Sequence, residues 1–82
     1  MATQLKPTTL TEVRYAEFVQ HTNDLGKVDT MARRFFREFF DSSLSVTARL
    51  LFTEDGQRVY ECYQDSGSED YLYIVVTKSD RR

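Results

Sequence analysis

The feature that most constrains this fold is an alternation of apolar and polar side chains in the C-terminal half of the chain. Residues 44–53 alternate with period two, and residues 57–64 and 71–77 are also rich in β-formers. The connections between these three runs are too short for a crossover helix, so neighbouring strands must run antiparallel. The sequence therefore predicts a three-stranded antiparallel meander. The apolar face predicted for the first strand is Leu44, Val46, Ala48, Leu50 and Phe52.

The loop at residues 54–56 determines the register of the first hairpin. A two-residue turn would place Glu61 opposite Leu50 on the apolar face, whereas a three-residue loop keeps apolar residues together there. We therefore predict the three-residue loop, with Gly56 left-handed and a bulge beside it. The pairs this register predicts are Leu50 with Tyr60, Ala48 with Cys62, Arg49 with Glu61 and Leu51 with Val59.

Residues 29–41 have the spacing of an amphipathic helix. Its start is indicated by Asp29 or Thr30, either of which is a suitable N-cap. The apolar face comprises Val28, Met31, Ala32, Phe35, Phe36, Phe39 and Phe40, and the polar face comprises Arg33, Arg34, Arg37 and Glu38. We expect the phenylalanine face to pack on the first strand of the meander.

The segment 9–22 is ambiguous. Thr9 and Glu12 have capping-box spacing, which favours a helix, but the apolar residues point all around a helical wheel. We predict an α+β fold in which one or two N-terminal helices pack on one face of the meander, in the order ααβββ. If residues 10–20 form a strand instead, the order is βαβββ.

The chain length predicts a single domain spanning residues 1–82, because 82 residues cannot bury two independent cores. Residues 1–8 and 78–82 are expected to be flexible tails. Cys62 is the only cysteine, and no apolar run has the length of a membrane span. We therefore expect a cytoplasmic protein that does not contact a membrane.

No catalytic, metal or cofactor site is predicted. The only histidine, His21, is expected at the surface, and Cys62 is expected in the core as a small hydrophobe. The acidic loop residues do not follow calcium-loop or paired-carboxylate spacing. These acidic residues are Glu54, Asp55, Asp65, Glu69 and Asp70. The sequence predicts that the protein is not an enzyme.

The outer face of the predicted sheet is unusually apolar and rich in tyrosine. Its residues are Leu51, Val59, Tyr63, Tyr71, Tyr73 and Val75. A three-stranded sheet with one helical layer leaves this face open, so either the N-terminal segment covers it or it binds a partner. We predict a small protein-interaction module, such as a regulator, inhibitor or assembly factor. It would bind a partner protein, or a second copy as a homodimer, through this face and the acidic loops.

A basic stripe on the predicted helix supports an alternative function. Lys27, Arg33, Arg34 and Arg37 would contact phosphates in a nucleic-acid accessory protein. The simpler interpretation is a solvated helix face, since the formal net charge of the chain is −2 and no aromatic residue lies within the stripe. The sequence identifies neither the partner nor the oligomeric state.

Overall fold

The computed structural model describes residues 6–41, 43–65 and 70–77. They form a small α+β fold with a four-stranded mixed sheet, a long helix on one face and an N-terminal segment on the other. The elements in chain order are α1 (Leu10–Val13), β1 (Val19–Thr22), a 3₁₀ helix (Leu25–Lys27), α2 (Val28–Phe40), β2 (Val46–Glu54), β3 (Gln57–Gln64) and β4 (Tyr71–Val76).

The predicted amphipathic helix is confirmed as α2. It begins at Val28, directly after the 3₁₀ helix, so neither Asp29 nor Thr30 is its N-cap and Asp29 lies in its first turn. It ends at Phe40, and its C-cap Asp41 adopts a left-handed conformation (φ 50°) and donates its N–H to Phe36 O. The apolar face packs on the middle strands of the sheet and, as predicted, on the first strand of the meander through Val46 and Ala48. The buried residues of this core are Val28, Ala32, Phe35, Phe36, Cys62, Leu72, Ile74 and Val76.

The antiparallel meander β2–β3–β4 is also confirmed, but the hairpin differs from the prediction. Glu54 pairs directly with Gln57, so the loop has two residues, Asp55 and Gly56, both with positive φ (53° and 76°). The bulge lies at Leu51, away from the loop. The bulge shifts the register by one residue, and the predicted pairs Leu50–Tyr60, Ala48–Cys62 and Arg49–Glu61 form as expected.

The bulge also reverses the face of one predicted core residue. Phe52, and not Leu51, pairs with Val59, so Phe52 packs with the outer cluster instead of the α2 core. Leu44 and Leu50 were predicted to be buried but are 53% and 52% exposed. Residues of β2 are less covered than those of the middle strands because β2 is an edge strand.

The fourth strand is the main departure from the prediction. Residues 10–20 are neither one helix nor one strand, since α1 is a single turn and β1 comprises only Val19–Thr22. β1 pairs in parallel with β4, and the strand order is β1-β4-β3-β2. Phe18, immediately before β1, packs edge-on against Phe35 with ring centroids 5.1 Å apart. This aromatic contact holds the start of β1 against α2.

Reciprocal capping bonds define the short helix α1. Thr9 is the N-cap and accepts a hydrogen bond from Glu12 N–H, as its spacing predicts. The Glu12 carboxylate accepts from Thr8 N–H, and this bond lowers the pKa of Glu12. Within the predicted tails, Lys6 bonds to Glu61 and Thr8 bonds to Glu12, while residues 1–5 and 78–82 lie outside the described residues.

Candidate functional site

The N-terminal segment covers the middle of the predicted tyrosine face. Val13 of α1 is buried against Val59, Tyr73 and Val75. Burial raises the pKa of Tyr73, with smaller contributions from nearby Glu61 and Tyr71. Of the two alternatives left open by the sequence, the covering segment is therefore present. The three remaining residues of this face, Leu51, Tyr63 and Tyr71, are half-buried.

Two polar contacts fasten this covering segment to the sheet. Leu10 N–H donates to Glu54 Oε1 over 2.8 Å, and Lys6 Nζ lies 3.1 Å from Glu61 Oε2. Glu54, expected in an open acidic loop, instead anchors α1. Asp65 is also engaged and accepts a hydrogen bond from the Thr47 hydroxyl over 2.8 Å. Glu69 of the same predicted acidic surface lies outside the described residues.

The two edges of the sheet differ in length. β1 forms one edge with four residues, and β2 forms the other with nine. Edge strands present unpaired backbone groups and are usually blunted by Pro, Lys or bulges. β2 contains neither Pro nor Lys, the one charged residue between Val46 and Leu50 is Arg49, and the bulge at Leu51 leaves this regular stretch unaltered.

The backbone hydrogen bonds show which β2 groups point away from the sheet. Asp65 N–H donates to Ser45 O over 2.9 Å, and this pair lies in the same register as Val46 and Gln64. Bonded and non-bonded pairs alternate along an antiparallel ladder. Val46, Ala48 and Leu50 therefore direct their N–H and C=O groups outward, where the described part of the chain provides no neighbouring strand.

A groove runs beside the start of this edge strand. Its volume is about 470 Å³, and it lies between α2 and the segment leading into β2. Its lining residues are Arg33, Arg37, Ser43, Leu44, Ser45 and Val46. Of the predicted basic stripe, Arg33 and Arg37 line this groove, whereas Lys27 and Arg34 do not. The sequence pattern shows the arginines but not their proximity to a strand edge.

Two polar details characterise the surroundings of the groove. The Arg33 guanidinium lies 3.0 Å from the Asp29 carboxylate, one turn earlier on α2, and the Arg33 side chain is 67% exposed. Gln64 of β3 pairs with Val46 of β2 and is buried. Its Oε1 has no hydrogen-bond partner among the described residues. Sequence reasoning did not single out Gln64, since its burial depends on the packing of α2.

The residues considered for chemistry lie apart from one another. Cys62 is buried in the α2 core, as predicted, and burial raises its pKa to about 12, so the thiol is held protonated. His21 is exposed on β1. Among the described residues, no group of three or more His, Cys, Asp or Glu side chains is arranged to hold a metal ion.

Comparison of the chain with protein-family models, curated proteins and solved structures finds no match in any of the three. Within residues 6–41, 43–65 and 70–77, no helix has both the length and the apolar character needed to cross a membrane.

Proposed function

We propose that this protein is a non-enzymatic interaction domain that binds an extended segment of a partner protein along the edge of β2. This proposal rests on one observation: the backbone N–H and C=O groups of Val46, Ala48 and Leu50 point outward from an edge strand. Strand addition uses such groups for main-chain hydrogen bonds, while side-chain contacts on either face give specificity.

The side chains around this edge are consistent with strand addition. Leu50 is about half exposed although it points toward the α2 face of the sheet, so an added strand would remove apolar surface from water. Two half-buried residues of the tyrosine face, Leu51 and Tyr63, lie on β2 and the adjacent β3. A partner at this edge would therefore also contact residues predicted from the sequence to bind it.

The sequence prediction that the whole tyrosine face binds a partner remains a proposal. It now requires that the N-terminal segment move away from the sheet. Val59, Tyr73 and Val75 are buried under α1 and would contact a partner only if the N-terminal segment moved. The edge of β2 requires no such movement. For this reason we assign the primary contact to the edge and a secondary role to Leu51 and Tyr63.

A selection from a displayed library of random ten-residue peptides tests this proposal. We expect wild-type protein to recover peptides, and Leu50→Glu to abolish their binding because it replaces the apolar contact with a solvated negative charge at the edge. Leu25→Glu is the matched control, since Leu25 lies in the 3₁₀ helix and is 45% exposed. Equal loss in both variants, or recovery of no peptide by the wild type, would contradict the proposal.

A second variant keeps the test independent of side-chain charge. Ala48→Pro removes an outward N–H that makes no bond to β3 and should leave the ladder intact. We expect it to weaken binding of the recovered peptides. Unchanged binding in a folded Ala48→Pro protein would exclude strand addition at this position.

A further inference from the structure

We infer that the partner segment bound by β2 is acidic, with Asp or Glu at every second position on the side that faces Arg33 and Arg37. This inference rests on the proposed function and specifies its partner. The groove places both arginines beside the start of the same strand edge. Side chains of an added strand alternate between the two sheet faces, so every second one would point toward α2 and this groove.

The charges at the groove favour carboxylates. Arg33 is only partly neutralised by Asp29, because the pair is solvent-exposed, and Arg37 makes no ion pair within the described residues. Guanidinium groups bind carboxylates in a bidentate geometry that lysine does not provide. An acidic strand would supply the missing negative charge while its backbone bonded to β2.

The same charges disfavour a second copy of this chain as the occupant. Antiparallel pairing of two β2 edges would place both α2 helices on the same face of a continuous sheet. The start of one β2 would then lie beside Leu50 of the other copy, which supplies no carboxylate to Arg33 and Arg37. Self-pairing leaves the arginine charges without carboxylates, so it is weaker than pairing with an acidic segment.

A nucleic acid fits the groove less well than an acidic peptide. Phosphate binding gains affinity from many distributed cations, but Lys27 and Arg34 lie outside the groove. The open backbone edge also matches a peptide, because a peptide supplies both donors and acceptors along its length.

The library selection described above provides the test when it is repeated with an Arg33→Gln, Arg37→Gln double variant. With wild-type protein we expect Asp and Glu to be enriched at alternate positions, and with the double variant we expect this enrichment to disappear. A recovered peptide resynthesised with Gln and Asn in place of its acids should bind about tenfold more weakly to the wild type. Both arginines are exposed, so the double variant should retain the wild-type melting temperature.

The remaining outcomes separate the two proposals. Recovery of non-acidic peptides whose binding still requires Leu50 would overturn the acidic-partner inference and leave strand addition intact. Recovery of no peptide would overturn both.

A single-stranded twenty-nucleotide probe provides the nucleic-acid comparison. Its binding at low salt, lost in the arginine variant but kept in Ala48→Pro, would also overturn the inference.

Discussion

Lys6 and Glu61 form an ion pair that joins the N-terminal segment to the central strand β3. Lys6 Nζ lies 3.1 Å from Glu61 Oε2, and the Glu61 side chain is only 3% exposed, whereas that of Lys6 is 52% exposed. Lys6 Nζ donates its hydrogen bond to the other oxygen, Oε1, over 3.3 Å. A buried carboxylate depends on such a partner, because the charge has little contact with water.

Lys6→Met should therefore lower the free energy of unfolding by about 1 kcal/mol, a modest value because Lys6 is half exposed and its charge is screened by solvent. The loss should be much smaller when Glu61 is already Gln, since no buried charge is then left unpaired. A double-mutant cycle measured by urea unfolding tests this coupling. An equal loss in both backgrounds would contradict the assigned role of the ion pair.

Val13→Ala should destabilise the domain by about 1–2 kcal/mol, because it removes two methyl groups from the packing of α1 on Val59 and Val75. The matched control is Thr11→Ala on the exposed side of the same helix, which should change stability by less than about 0.5 kcal/mol. Urea unfolding of both variants measures the difference. Similar values would show that α1 does not cover the sheet as described.

Gly56→Ala should cost about 1–2 kcal/mol, because φ at this position is 76° and a side chain is disfavoured in the left-handed region. Asp55→Asn is the control, since asparagine also tolerates the left-handed conformation that Asp55 adopts at φ 53°. It should leave stability nearly unchanged. Thermal unfolding of the two variants measures the difference, and a Gly56→Ala protein as stable as Asp55→Asn would contradict the left-handed conformation of Gly56.

Patterns local to one segment predicted much of this fold. The spacing of Phe35 and Phe36 identified α2, and alternation identified β2, β3 and β4. The pairing of Ala48 with Cys62 was predicted from the preference for apolar residues on one face. The predicted loop length was wrong. A three-residue loop and a two-residue turn with a bulge in β2 both pair Leu50 with Tyr60, so the side-chain pattern does not distinguish them.

Long-range pairing was not predictable in the same way. β1 has four residues, and its parallel partner Tyr73 lies more than fifty positions from Val19, so no local pattern indicates the contact. The same limit applies to the site. The sequence identified the tyrosine face and the arginine stripe, but the cover formed by Val13 and the position of Arg37 beside β2 arise from tertiary packing.

Cys62 should react slowly with a thiol reagent such as DTNB at pH 8 in the native protein and rapidly in denaturing urea. Burial raises its pKa to about 12, with smaller effects from Asp29 and Glu61, so both thiolate content and access are low. Rapid native reaction would contradict the buried position.

The same pKa shift predicts how stability changes at high pH. The folded protein holds the Cys62 proton more tightly than the unfolded chain, whose pKa is near the ordinary value of 9.0. Below that value both states are protonated and this group contributes no pH dependence. Between 9.0 and about 12 the unfolded chain loses its proton first, so the free energy of unfolding falls as pH rises. The fall should be smaller in Cys62→Ala than in the wild type.

Amide hydrogen exchange measured by NMR tests the open β2 edge most directly. In the free protein, the amides of Val46, Ala48 and Leu50 should exchange rapidly, while those of Thr47 and Arg49, bonded to β3, should be protected. Addition of a peptide recovered from the library should slow exchange at the first three amides. Unchanged rapid exchange at these amides in the peptide-saturated protein would contradict strand addition at β2.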